Sequence, residues 1–431
     1  MLRPKLKVVG AAAALGAVLA GGEAVAVSAA KGQLVVAGII AITGTSSFEG
    51  SNQFEGMLPA IWAINKAGGV MGHKLVFKGV DTRGDPADAL PATQQLLATT
   101  SNLVAVAGPD TGSAPTLVPV LNAAHIPMMA VAGESVYDRN PYPYFWRLFP
   151  PDSANGIAMG LWAKRKSYTR VAAVFASDPG SQGDLPGVLA SLKALHIPVV
   201  ANITLTPDQS SYQSSVNQLI AAHPDVIMTE SDGGTAGTFF GELKSLGGLV
   251  PIVGTEATYT SPWLTAVQGA LGASSFSKYY VGMIQAPSRP TAAVTAFNNA
   301  VKGAKKQLPV SVKTAQQNPF ASTYYDSMIA MALAMDAAKS TNPKVFNSKM
   351  TTVCNPGKGK KVVYTYAQGV AALNAGKQIS YYGATGMIKF DKYHNSFGAQ
   401  EAVTNSASGS TVNLGTVSVA AIEGVKVKGV A

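Results

Sequence analysis

Side chains able to do chemistry are sparse in this chain and sit mostly in loops. Glu134 and Glu256 each follow a stretch that reads as a strand, so a pair of carboxylates for acid–base work stays open. Little else supports catalysis. The sequence has no Gly-x-Ser-x-Gly elbow, no His-Glu-x-x-His, no Cys-x-x-Cys and no phosphate loop ending Gly-Lys-Ser/Thr. Gly233-Gly234-Thr235-Ala236-Gly237 opens a predicted helix but lacks dinucleotide spacing. His125, His196 and His223 each stand just before Ile-Pro or Pro. They lie near helix C-termini, where a cation is favourable, and capping is a better reading of them than metal ligation. The residues point to binding rather than turnover, and no cofactor is implied.

The elements that must carry these residues follow one design. An apolar strand, Leu34 to Ile40, runs into the small-residue loop Thr43 to Gly50, then into a helical pattern marked by Met57, Ile61 and Ile64. A second strand, Lys74 to Asp81, ends before Asp85-Pro86. This strand–loop–helix–strand unit builds parallel sheets, whose ligands bind beyond the carboxyl ends of the strands. Helix is expected over Pro91–Thr100 and strand over Leu103–Ala107. The loop Gly108 to Pro115 then leads into a helix, with Pro115 suited to its first turn. The order repeats from Tyr168, with strands at 168–175, 197–205, 225–229 and 250–254. Helices are expected at 292–306 and 322–339, and short β-prone pieces after Gly383. The fold class is α/β, with two lobes of one βαβ design.

The whole chain sets the outer limits. Its 431 residues suffice for two full cores, and 47% hydrophobic with 13% charged residues describes a globular protein. Residues 1–30 have the layout of a cleaved secretory signal: basic Arg3, Lys5 and Lys7, apolar Val8 to Ala20, then Ser28-Ala29-Ala30. Lys31 is then the first mature residue, and a secreted protein of the periplasm or extracellular envelope space is expected. The single cysteine, Cys354, rules out an internal disulfide and lies too far from the signal for a lipid anchor. Net charge is +10 overall and +8 without the signal, with the lysines scattered. That describes a solvated basic surface rather than a nucleic-acid face.

Taken in order, several phrases resemble the type I periplasmic binding proteins, specifically the branched-chain amino-acid (Leu/Ile/Val) receptors of ABC transporters. They include Gly50-Ser51-Asn52-Gln53-Phe54-Glu55-Gly56, Ala63 to Val70 with Gly72, and Asp81 through Asp85-Pro86. Ala124 to Met128, Tyr144-Phe145-Trp146-Arg147 with Asp152, and His223 to Ile227 follow, then Tyr324 to Ser327 and Gly386 to Asp391. The resemblance implies two doubly wound parallel-sheet lobes joined by a three-strand hinge. Lobe 1 would comprise 31–150 plus 287–375, and lobe 2 151–286 plus 376–431. It further implies a monomer that captures a small-molecule ligand between the lobes for an ABC permease, or a sensing subunit of the same fold.

The resemblance also places the site. The family's ligand carboxylate is held by hydroxyls and N–H groups at a helix start, here matched by Thr111 and Ser113, with plain N-capping the alternative. The next loop of the first lobe is Ala130-Val131-Ala132-Gly133-Glu134, which sets Ala132 and Glu134 at the ligand. Gln182 stands for an aromatic in the opposite lobe, and Asp232 aligns with another pocket position. Glu256 matches the acid that takes an amino acid's ammonium, and Glu49, beside Phe48, falls where an aromatic lid is expected. If these loops converge, Glu49, Glu134, Asp232 and Glu256 make an acidic cleft suited to a cationic or amine-bearing ligand.

Overall fold

Two large sheets, the first all parallel and the second mostly so, each covered by helices on both faces, dominate the computed structural model. It describes residues 31–43, 47–285, 290–406 and 408–425. The signal segment 1–30 lies outside the described residues.

The first sheet holds β1 (Lys31–Ile40), β2 (His73–Asp81), β3 (Leu103–Ala107), β4 (Met128–Met129) and β5 (Phe145–Trp146) in the order β2-β1-β3-β4-β5, all parallel. Alternation along β1 sorts its side chains: Leu34 and Val36 join one core, Val35, Ala37 and Ile39 the other. The first of these cores takes in helices Ser47–Lys66, Thr291–Gly303 and Pro319–Ala338. The second sheet begins with β6 (Val171–Ala176), β7 (Val199–Leu205), β8 (Val226–Glu230), β9 (Ile252–Gly254) and β10 (Tyr280–Gln285). Val171, Ala173 and Phe175 face one helical layer and Ala172 and Val174 the other. A small third sheet is formed by β11 (Lys361–Val363), β12 (Ile379–Gly383) and β13 (Gly386–Met387). Then β14 (Gln400–Asn405) and β15 (Thr411–Val417) add antiparallel to β10, giving seven strands in the order β15-β14-β10-β9-β8-β6-β7.

Helix starts differ from the sequence expectation where a polar cap and a proline act together. The helix expected from Pro91 begins at Pro86, because the Asp85 carboxylate accepts the Ala87 N–H at 2.8 Å. The helix expected from Ser322 begins at Pro319, capped by Asn318 through the Phe320 N–H at 3.0 Å. His125, His196 and His223 sit just past helix ends with φ of 58°, 58° and 47°, the left-handed conformation that stops a helix. Residues 379–390, assigned to the second lobe from sequence, pack instead into the first core through Ile379, Tyr381, Ile388 and Phe390. Buried Asp326 holds this segment by accepting from Tyr381 Oη at 2.7 Å and from the Ala384 and Thr385 N–H groups at 3.0 and 2.7 Å.

The chain passes between the sheets three times: after β5, after β10, and between Phe390 and β14. Two of these passages are tied together by Arg147, which is fully buried. Its guanidinium donates to Asp138 at 2.6 Å, to Asn395 at 2.9 Å and to the carbonyls of Ala132 and Glu134 at 3.3 and 3.1 Å. Its backbone pairs with His394 and Ser396. Removing one partner of a buried ion pair strands the other. Arg147→Ala is therefore expected to cost about 3–5 kcal/mol of stability, read as a lower urea midpoint, and a change within about 0.5 kcal/mol would contradict this role.

Candidate functional site

The loops beyond the carboxyl ends of the parallel strands face one another across a cavity of about 570 Å³, within the range that encloses a small organic ligand. From the first sheet come Asp110 and Thr111 after β3, Val131 after β4 and Phe149 after β5, with Gln53, Phe320 and Tyr324 from flanking helices. From the second come Asp178 after β6, Asp208 after β7, Glu230 and Asp232 after β8, and Glu256 after β9. Asp152, Asn155 and Asp184 complete that side from the starts of helices Asp152–Arg165 and Leu185–Ala194. Among the described residues eight carboxyl groups thus line the cavity, seven of them on the second side, and no Lys, Arg or His does. Apolar wall is supplied by Phe149, stacked on Phe320 at 5.1 Å between centroids, and by Trp263, Tyr324 and Val131.

Some of these acids are held by backbone donors. Asp110 accepts the Ser113 N–H at 2.8 Å and the Thr82 hydroxyl at 2.6 Å. Asp178 accepts the Ser181 N–H at 2.9 Å, Asp232 the Thr235 N–H at 2.9 Å, and Glu256 the Gln285 N–H at 3.1 Å. The deeper acids differ. Burial raises Asp152 well above the usual aspartate range, with nearby Glu134 and Glu230 adding to it. Burial likewise raises Asp184, reinforced by Asp152 and Glu230. Glu230 is pushed up to about 7 by burial, although contact with Asp184 opposes the rise. Asp184 and Glu230 thus lie against each other, a contact that raises Asp184 and opposes the rise at Glu230. The Asp152 carboxyl lies so close to Gly133 and Gly183 that a Cβ at either would overlap it, so both loops approach it only as glycines.

Of the residues chosen from sequence, Thr111, Asp232 and Glu256 line the cavity. Ser113 does not: it is buried at the start of helix Ala114–Ala123, its N–H taken by Asp110. Ala132 is fully buried and gives its carbonyl to Arg147. Glu134 lies behind the wall, with its carboxyl pushed up to about 7 by burial and one carboxyl oxygen without a partner. Gln182 closes the end of β6 by donating to the Ala176 carbonyl at 2.6 Å. Phe48 and Glu49 fall in the first turn of helix Ser47–Lys66, and their side chains lie outside the described residues. Sequence reasoning missed Asp110, Asp178, Asp208 and Glu230, although each stands at or just past the end of a strand. Asking for the first acid after every strand would have found all four. Asp152 and Asp184 sit at helix starts, where only tertiary contact separates a site acid from a cap.

A family profile described as periplasmic binding protein matches residues 33–400. The chain belongs to that family. No curated protein sequence matches it. Among solved structures it is similar to the branched-chain amino-acid transporter substrate-binding protein LivJ of Streptococcus pneumoniae in complex with isoleucine, at 18% identity and TM-score 0.70, covering 90% of this chain and 99% of that one. It is similar to the leucine-binding protein LivK of Thermotoga maritima at 14% identity and TM-score 0.71, covering 90% and 99%. A solute-binding protein of an R. palustris ABC transporter, in complex with benzoate, matches at 18% identity and TM-score 0.70, covering 90% and 96%. The type I periplasmic binding fold expected from the sequence is thereby shown. Among the described residues no helix is long and apolar enough to cross a membrane.

The raised acids link stability to pH. Glu230 keeps its proton up to about 7 when folded, against 4.5 ordinarily. Its contribution is therefore fully present below the lower value and is lost as pH rises through the upper one. The melting temperature of ligand-free protein is expected to fall between about pH 5 and pH 8, and Glu230→Gln to flatten that fall. A profile in which the variant falls as steeply as the parent would refute the assignment.

Proposed function

We propose that the protein is an exported, non-catalytic solute receptor. It captures a small amine-bearing organic molecule between its lobes and delivers it to an ABC permease. The observation that carries this reading is the eight-carboxylate lining without a basic residue. Ionised carboxylates a few ångströms apart repel by roughly 4 kcal/mol per pair at an effective dielectric of 20. Either protons or a cationic ligand must offset that repulsion, and an ammonium offers charge-assisted hydrogen bonds while doing so.

A ligand carboxylate is a poor fit to the same cleft. At the start of helix Ala114–Ala123 the Ser113 N–H already serves Asp110, so that helix end meets the cavity through an acidic side chain rather than a free N–H. This weighs against the branched-chain amino acids bound by the structural neighbours and favours amines over zwitterions. Mechanism follows from the hinge. A cation reaching both walls favours the closed arrangement by its extra contacts there, and the open–closed equilibrium shifts by that difference in affinity.

Protein refolded free of carried-over ligand is to be screened by thermal shift and calorimetry against amines, α-amino acids and aromatic acids. Amines are expected to bind, with Glu256→Gln weakening them by about 1.5–3 kcal/mol, roughly ten- to hundredfold. Binding of carboxylic acids in place of amines would overturn the reading.

A further inference from the structure

More acceptors are built into the cleft than a single ammonium can use. Gln53 Oε1, Asn155 Oδ1, Asp184 Oδ1, Glu230 Oε2 and Asp232 Oδ2 all line the cavity, are shielded from solvent and have no hydrogen-bond partner. The residues Gln53, Asn155, Asp184 and Glu230 are each more than nine-tenths buried. Asn155 is oriented by its own amide, which donates to the Met283 carbonyl at 2.9 Å and to Gln400 at 3.2 Å, leaving its oxygen buried without a partner. Gln53 belongs to helix Ser47–Lys66 on the first side, and the other four stand on the second. An ammonium has three N–H donors and no acceptor. Even if a proton between Asp184 and Glu230 satisfied those two in the empty cleft, three oxygens on three different elements would remain.

Charge leads to the same result. Among the described residues eight carboxyl groups and no basic side chain line the cavity, so a ligand with one positive charge is far outnumbered by acids. Arg147, the one buried cation among the described residues, is already paired with Asp138. Between the polar groups stand Phe149, Phe320, Trp263 and Tyr324, surfaces that suit methylene groups and also attract ammonium through their π faces.

Resting on the amine reading above, we infer that the ligand is at least a dication, a flexible di- or polyamine whose cationic groups are joined by an apolar spacer. Its entry expels the proton held by the Asp184–Glu230 pair. The groups facing that pair are Asp152, Asp178 and Glu256, all acidic, while Arg147 acts on it only through Asp152. Affinity therefore rises with pH until the pair is ionised without help.

The test is calorimetry on the full mature chain, freed of ligand, with 1-aminobutane, 1,4-diaminobutane, 1,5-diaminopentane, spermidine and L-leucine. At least one diamine or spermidine is expected to bind tenfold or more tightly than 1-aminobutane, and more tightly at pH 7.5 than at pH 5.5. Glu230→Gln, which copies the protonated side chain and so keeps the fold, is expected to lower that affinity at least tenfold and to flatten its pH dependence. Equal affinity for mono- and diamines overturns the dication inference while leaving the amine reading standing. Failure of every amine overturns both, whether or not L-leucine binds. An unchanged affinity in Glu230→Gln removes the carboxyl pair from the site.

Discussion

A single buried guanidinium governs how this molecule is joined. Arg147 spends its donors on Asp138, Asn395 and two carbonyls of the 132–134 loop. In doing so it binds together two of the three passages between the sheets. It also fixes the loop whose Gly133 carbonyl accepts the Asp152 N–H at 2.9 Å, which sets the start of the helix bearing Asp152 and Asn155. Because its charge is matched by Asp138, it provides little compensation for the acids that line the cleft. The hinge is electrically closed and the cavity beside it is not.

That imbalance gives the cleft its character. Buried carboxylates persist only when donors, protons or counter-ions offset their repulsion and desolvation. Backbone N–H groups serve Asp110, Asp178, Asp232 and Glu256. Burial raises Asp184 and Glu230, which favours their protonated forms. A bound cation is the remaining means, and the proposed amine ligand would supply it. On the proposed amine reading, binding would relieve repulsion among the acids as well as making contacts. The same arrangement limits what can enter, since an anionic ligand meets the repulsion with nothing to offset it.

Much of this architecture was legible along the chain. Alternation and apolar runs determined the strands, because a parallel strand covered on both faces must be hydrophobic nearly throughout. Pro and polar caps determined where helices begin, once Asp85-Pro86 and Asn318-Pro319 are read as pairs. The acidic character of the cleft was also legible, through Asp232 and Glu256 in loops after strands. What local pattern did not convey was which loop residues turn inward. Ala132 and Gln182 occupy the expected positions, yet one gives its carbonyl to Arg147 and the other its amide to the Ala176 carbonyl, while Ser113 is buried with its N–H on Asp110.

The sequence alone determined the two-lobe α/β fold, the family and the presence of acids at strand ends, since strand polarity places those ends on one side of each sheet. Only the tertiary structure decided that Asp152 and Asp184, two helix-start residues remote from each other in the chain, would meet Glu230 beneath a common cavity. That meeting depends on the hinge passages and on close approach at Gly133 and Gly183, and sequence spacing carries no information about either. Whether an acid is a solvated cap or a buried site group is set by what the other elements bring against it.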